Sequence, residues 1–183
     1  MKILVIQNRM GIGDMVIFLP FIEAISKKFN SSIILLTKES SKAKEYLSNN
    51  NHIEKIIDLR RNNSNDIHQG MKGFFRLRKD LKKFNFDKAF IFNSSTRYNL
   101  VCKFAGIKEI YQYPLFKKNK QHIIGAAKSL LEKINLNIDS DPKISIEENL
   151  VMEAKRKFNI NDKQINDKNM CKIGKKRLCF TLG

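Results

Sequence analysis

The chain has 183 residues, of which 42% are hydrophobic, and its 35 basic residues exceed its 18 acidic residues by 17. A chain of this length forms one domain, or one domain and a small part of another, and its apolar content excludes disorder throughout. No apolar run approaches the roughly 20 residues of a membrane-spanning helix. The apolar segment Ile3–Ile6 is too short for a signal-peptide core. We therefore expect a cytoplasmic globular protein.

The positive charge is the first candidate signal of function. A specific nucleic-acid interface would gather arginines and stacking aromatic residues on one face. Here the lysines are scattered in pairs such as Lys27-Lys28 and Lys117-Lys118, and the chain has no Trp. Scattered lysines are the default product of an AT-rich coding sequence. The charge therefore predicts no specific nucleic-acid partner, but a weak peripheral attraction to the anionic inner face of the cytoplasmic membrane.

Strand-like and helix-like segments alternate along the chain. Apolar runs at residues 2–7 and 32–37 predict two buried strands, and further strands are predicted at residues 53–59, 86–92 and 109–112. Helices are predicted at residues 14–29, 73–84, 96–105, 121–134 and 147–158, with a polar helix at about 39–47. Pro20 lies inside the first helical stretch, where it predicts a kink or the end of a first turn. The alternation predicts an α/β fold with a doubly wound, mostly parallel, Rossmann-like sheet.

In such a sheet, ligands bind at the carboxyl ends of the strands. The loops to inspect are therefore those after Gln7 and after Phe92. Residues 159–176 are polar and predict a linker, and Arg177–Leu182 resembles the start of another buried strand.

The loop after the first strand carries the sequence Gly11-Ile-Gly13-Asp14. Glycines allow a tight turn and a close ligand, and the N–H groups at a helix start favour an anion. The motif departs from the dinucleotide fingerprint because position 16 is Val, although Glu39 could serve as the ribose-binding acid. Asp14 has two interpretations: an acidic helix cap, or a carboxylate that takes a proton from a substrate hydroxyl.

The three cysteines, Cys102, Cys171 and Cys179, lack the spacing of a zinc site or of a disulfide framework. They are interpreted as small hydrophobic residues in a reducing cytoplasm. The sequence predicts no metal site.

Three segments, in order along the chain, resemble glycosyltransferase family nine, the ADP-heptose:lipopolysaccharide heptosyltransferases. The first is Lys2–Pro20, with its strand, Gly-Asp loop and Leu-Pro ending. The second is Phe86–Gly106, with a strand, a polar turn, Arg97 and Ala-Gly. The third begins at His122 and includes an apolar helix ending near Leu136. The resemblance implies the amino-terminal half of a GT-B type glycosyltransferase, made of two facing Rossmann-like domains.

The resemblance also implies roles for individual residues. Asp14 is the candidate general base, which deprotonates an acceptor sugar hydroxyl for inverting attack on an anomeric carbon. Acceptor or donor contacts are expected from the loops at Arg9, Gly11, Gly13, Asn93, Ser94 and Arg97. For Arg97 a surface ion pair is the ordinary alternative, and for Asn93 and Ser94 it is helix capping. The partners implied are a nucleotide-sugar donor such as ADP-heptose and a glycolipid acceptor of the lipopolysaccharide core, with no further cofactor.

The sequence departs from the family pattern in two places. The family usually has Arg or Lys at the end of the first strand, where this chain has Gln7 and Asn8, with Arg9 displaced beyond them; we expect this to alter acceptor preference. The domains predicted are an acceptor-side domain at 1–158, a linker at 159–176 and the first strand of a truncated donor domain at 177–183. Without donor-binding residues, the chain alone is expected to transfer sugar poorly or not at all. The alternative function is a stand-alone nucleotide- or dinucleotide-binding module.

Overall fold

A computed structural model of the chain describes residues 1–113, 123–138 and 148–157. The described elements fall in two compact units, with β1 through α5 inside Met1–Ile144 and the last helix inside Ser145–Gly183. The predicted linker and the predicted last strand lie outside the described residues. The domain limits therefore stay predictions.

Five strands and six α-helices alternate over the described residues. The strands are β1 (Ile3–Gln7), β2 (Ile33–Thr37), β3 (Ile53–Asp58), β4 (Lys88–Ile91) and β5 (Glu109–Gln112). The helices are α1 (Ile12–Phe29), α2 (Ala43–Tyr46), α3 (Gly70–Lys82), α4 (Thr96–Phe104), α5 (Ile123–Glu132) and α6 (Glu148–Lys157). All five predicted strands are present within two residues of their expected ends.

The strands form one parallel sheet in the order β3-β2-β1-β4-β5. Its two faces are covered separately, because successive side chains on a strand point to opposite sides. Ile3 and Val5 belong to a core with α1 and α5, whereas Leu4 and Ile6 belong to a core with α3 and α4. This arrangement confirms the predicted doubly wound sheet.

Two helices differ from expectation. The predicted helix at 39–47 is divided into a short 3-10 turn, Glu39–Ser41, and α2, because Lys42 between them takes a left-handed backbone with φ of 54°. Helix α1 runs unbroken through Pro20, which is buried. Inside a helix, proline removes one backbone donor and crowds the carbonyl four residues earlier. Here the buried side of α1, with large residues such as Phe18 and Ile22 in the core, offsets that cost. The predicted end of a first turn at Pro20 is therefore not observed.

Candidate active site

The chain changes direction across the sheet between β1 and β4. From β1 it proceeds outward through β2 to β3, and it then returns to add β4 and β5 on the other side of β1. The loops that follow these two central strands therefore diverge and leave a crevice at the carboxyl edge, which is where open α/β sheets bind ligands. Asn8 Nδ2 lies 3.5 Å from the hydroxyl of Tyr98, so the loop after β1 contacts α4. The two predicted loops are neighbours.

Asp14 lies in the first turn of α1, immediately beyond the carboxyl end of β1. The N-cap of that helix is Gly11, so Asp14 is not the cap residue itself, but it lies in the first turn, where the structural interpretation of an acid stabilised by the helix start still applies. The aligned N–H groups of a helix start favour a negative charge in this turn. The Asp14 side chain is 32% exposed, so its carboxylate is partly accessible to solvent.

Arg9 is the nearest cation to this carboxylate, with 3.9 Å between Arg9 Nη1 and Asp14 Oδ1. The distance is long and the Arg9 side chain is 45% exposed, so the pair contributes little to stability. The Arg9 backbone N–H donates to Gln7 Oε1 at 2.9 Å, which fixes the start of the loop. Arg9 and Asp14 thus form a loosely held pair of opposite charges at the crevice.

Gly11 and Gly13 lie in the loop beside Asp14, but neither is needed there for a backbone conformation that only glycine adopts easily. Neither has a positive φ: Gly11 is extended at φ −93°, and Gly13 is absent from the positive-φ glycines. A Cβ on Gly11 would meet Asp14 Oδ2 at 3.5 Å, and a Cβ on Gly13 would meet nothing within 4 Å. The fold tolerates side chains at both positions, so what the glycines supply is open space beside Asp14.

Asn93 and Ser94 follow β4 across the crevice. Asn93 Oδ1 accepts from the Ser95 backbone N–H at 2.8 Å, which shapes the turn before α4. The N-cap of α4 is Ser95, whose side chain makes no cap hydrogen bond. Asn93 Nδ2 is buried and has no partner among the described residues, and Ser94 is exposed. Helix capping in the strict sense therefore does not account for either side chain.

Arg97 is held by the protein backbone. Its Nη2 donates to the carbonyls of His68, at 3.0 Å, and Gly70, at 2.8 Å, and its guanidinium lies 5.6 Å from the ring centre of Phe74. Burial lowers the Arg97 pKa from its ordinary value. The ion-pair alternative finds no acidic partner among the described residues. Arg97 joins α4 to the start of α3, and a role in binding acidic groups of an acceptor stays a prediction.

Two further polar residues, not selected as site residues from the sequence, lie at the carboxyl ends of β1 and β5. Gln7 is fully buried, and its Nε2 has no partner among the described residues. Gln112, at the end of β5, donates from Nε2 to the carbonyls of Asn93 and Ser95 at 3.0 and 2.9 Å, which fixes the loop after β4. For Gln7 the sequence offers a signal, because this residue is the polar end of the otherwise apolar strand β1. For Gln112 it offers none, because β5 contains polar residues at both ends.

A separate open cavity of about 430 Å³ lies at the carboxyl ends of β2 and β3. Its charged lining includes two ion pairs, Lys42 with Glu45 at 2.8 Å and Lys44 with Asp58. Glu39 lies in this lining and not beside Asp14. The cavity is on the β2–β3 side of the sheet and does not include the Gly-Asp loop.

Other site types have little support in the described part of the chain. Within those residues, no group of three or more His, Cys, Asp or Glu side chains could hold a metal ion. No helix that the structure describes is long and apolar enough to cross a membrane. Cys102 is a buried free thiol whose pKa burial raises to about 12, and a thiol of that kind is inert. Cys171 and Cys179 lie outside the described residues.

Comparisons with known proteins gave matches only among solved structures. No protein-family model matches the sequence, and no curated protein matches it. The glycosyl transferase family 9 protein of Veillonella parvula superposes with a TM-score of 0.64 at 16% identity, over 88% of this chain and 51% of that one. ADP-heptose LPS heptosyltransferase II of E. coli superposes with a TM-score of 0.61 at 18% identity, over 88% and 52%.

A third structure, the E. coli heptosyltransferase WaaC with ADP, gives a TM-score of 0.53 at 11% identity, over 79% of this chain and 50% of that one. The chain thus spans about half the length of the solved structures that it matches. At these identities the likeness establishes the fold. The resemblance to glycosyltransferase family nine is confirmed at that level, since the chain has the architecture of a Rossmann-like half of such an enzyme.

Proposed function

We propose that the chain is the acceptor-side part of an inverting glycosyltransferase, and that Asp14 is its general base. The observation that carries the proposal is the position of Asp14. It is a partly exposed carboxylate in the first turn of α1, at the crevice between β1 and β4, in a fold shared with heptosyltransferases. A carboxylate at that place can accept a proton from a hydroxyl bound over the loop.

The proposed reaction needs few groups from this chain. Asp14 takes the proton of an acceptor hydroxyl while that oxygen attacks the anomeric carbon of the donor sugar, and the nucleoside diphosphate leaves with the bonding electrons. Arg9 places a positive charge 3.9 Å from Asp14, where it can contact polar or acidic groups of the acceptor. Gly11 and Gly13 leave room for the sugar ring. Asn93 and Ser94 supply hydrogen bonds from the opposite loop.

The donor in this proposal is a nucleotide-sugar such as ADP-heptose, and the acceptor is a glycolipid of the lipopolysaccharide core. Support for the donor comes from a matched heptosyltransferase that was solved with ADP. Because the chain spans half of such enzymes, transfer is expected of a form that also carries a donor-binding domain. The chain by itself is expected to bind the acceptor and to transfer little or no sugar.

The test replaces Asp14 by Asn in a donor-domain-containing form. Loss of the base should lower kcat by about 10²–10⁴-fold, with the circular dichroism spectrum and KM for the acceptor little changed. The matched control is Asp87→Asn, at the opposite edge of the sheet, where Asp87 accepts from the Lys2 backbone N–H at 2.7 Å. Full activity of Asp14→Asn would contradict the assignment of the base.

A binding measurement on the chain itself separates the proposal from the nucleotide-binding alternative. Isothermal titration should show affinity for lipopolysaccharide core oligosaccharides, which Asn93→Ala weakens. Tight binding of NAD, with no affinity for core sugars, would replace the transferase proposal by a dinucleotide-binding one.

A further inference from the structure

Four large apolar side chains are exposed on the outer surface of α3 and α4. Met71 is 70% exposed, Phe75 56%, Leu100 44% and Phe104 60%. Met71 and Phe75 are one turn apart on α3, and Leu100 and Phe104 are one turn apart on α4. Soluble proteins expose single apolar side chains freely, whereas a group of them marks an interaction surface. We refer to these four residues as the α3–α4 patch.

The patch is one surface because its two helices are fixed to each other. The largely buried ring of Phe74 contacts both Phe75, with 5.4 Å between centroids, and Phe104, with 6.0 Å. Arg78 Nε on α3 donates to the Phe104 carbonyl on α4 at 2.8 Å. Phe75 and Phe104 therefore both contact one buried ring, and they are exposed together where the two helices pack.

The surroundings of the patch are strongly basic. Exposed cations near it on the two helices are Lys72, Arg76, Lys79 and Lys103. The single acid of α3 is Asp80, whose carboxylate pairs with Lys83 at 2.8 Å. α4 contains no acidic residue. Exposed apolar side chains framed by lysine and arginine are the pattern of a helix that lies on an anionic lipid surface.

We propose that the α3–α4 patch docks the protein on an anionic phospholipid bilayer, with Phe75 and Phe104 inserted at the level of the headgroups. Charge complementarity selects this occupant. A second copy of the chain would bring two basic surfaces together, which like charges oppose. A nucleic acid would use the cations and the aromatic rings, but it would gain little from Met71 and Leu100, whose side chains offer neither hydrogen bonds nor stacking.

The proposal does not depend on the transferase assignment. It uses a surface on the α3–α4 face of the sheet, which contains neither Asp14 nor the Gly-Asp loop. Failure of the Asp14 experiment and failure of this one are therefore separate results.

The experiment is co-sedimentation of the chain with vesicles of phosphatidylcholine, with and without phosphatidylglycerol. The expected result is binding only to the anionic vesicles. Phe75→Ser combined with Phe104→Ser should lower the partition coefficient by roughly tenfold or more, because both apolar anchors are lost. Arg76→Gln combined with Lys79→Gln should lower it several-fold and reduce its dependence on salt.

The matched control variants remove an exposed apolar side chain or two positive charges at positions outside the α3–α4 patch. Ile124→Ser removes an exposed apolar residue of α5, on the other face of the sheet, and Lys27→Gln with Lys28→Gln removes two charges from the last turn of α1. Both should bind like the unchanged chain. Equal losses in patch and control variants would overturn the proposal, because binding would then depend on total charge and total apolar exposure and not on this surface.

Two further results would also overturn it. One is equal binding of the unchanged chain to neutral and anionic vesicles. The other is a patch variant that keeps vesicle binding but loses affinity for a single-stranded oligonucleotide or loses dimer formation in sedimentation. Circular dichroism of each variant verifies folding, and the charge variants, which change only exposed side chains, keep the test decisive if the double Phe variant unfolds.

Discussion

Two polar segments at the carboxyl edge of the sheet are held in opposite ways. The loop at residues 8–14, after β1, has glycines with space around them and an arginine 3.9 Å from its acidic partner. The junction between residues 60–70 and the helices α3 and α4 has Gly73 against the His68 backbone and Arg97 bonded to two carbonyls. The same residue types therefore leave space for a ligand in the first segment and join elements of the fold in the second.

Glycine substitution gives the sharpest test of this difference. A Cβ on Gly73 would lie 2.1 Å from the His68 carbonyl carbon, so Gly73→Ala must displace backbone. We expect a loss of about 2–4 kcal/mol in the free energy of unfolding, measured by urea denaturation.

The matched change is Gly13→Ala, where a Cβ meets nothing within 4 Å. Because alanine favours the helical backbone, this variant should be unchanged or stabilised by up to about 1 kcal/mol. Similar losses in both variants would mean that the two segments do not differ as described.

Arginine replacement is expected to have the next largest effect. Arg97→Met leaves the carbonyls of His68 and Gly70 without their donor and should cost about 1–2 kcal/mol of unfolding free energy. Arg9→Met breaks only an exposed, long ion pair and should change it by less than about 0.5 kcal/mol. A cost for Arg9→Met equal to that for Arg97→Met would contradict the assignment of Arg97 as the structural arginine.

The smallest expected effect is a pH dependence at the junction. His68 is buried, its Nδ1 accepts from the Arg60 backbone N–H at 3.1 Å, and burial lowers its pKa below the ordinary 6.5 despite the nearby Asp80. The unfolded chain then binds a proton more readily than the folded one, so stability is fully present above pH 6.5 and declines as the pH falls below it.

Urea denaturation at a series of pH values measures this decline. His68→Gln should flatten the dependence just below pH 6.5, whatever its effect on stability at higher pH. An unaltered slope in the variant would assign the pH dependence to other groups.

Much of the architecture could be read from local pattern. β1 and β2 are buried on both faces and are nearly continuous apolar runs, whereas β3 and β5 carry exposed charged residues. The sequence nevertheless places all five strands close to their observed limits, and it indicates the loops after Gln7 and Phe92 as the place for a crevice. Details that depend on tertiary contacts could not be predicted from the sequence. The division of the helix at 39–47 by the left-handed Lys42, and the continuity of α1 through Pro20, depend on contacts that propensity does not describe.

In the candidate site, too, some features could be predicted from the sequence and others could not. A glycine and an acid after the first strand are visible in the sequence, and they lie where expected, at the start of α1. The sequence does not say that Arg97 is engaged by His68 and Gly70, because those carbonyls are 29 and 27 residues away along the chain. The sequence also does not indicate Gln112, which lies at the end of β5 and donates hydrogen bonds to two carbonyls of the loop after β4.

The class of fold and the place of the Gly-Asp loop can be read from the sequence, because both follow from the order of apolar and polar residues along a short stretch of chain. The tertiary structure is needed to see which polar side chains are hydrogen-bonded within the fold and which are exposed or have no partner among the described residues. It also showed that Met71, Phe75, Leu100 and Phe104 share one exposed basic surface, since that depends on how α3 and α4 pack around Phe74.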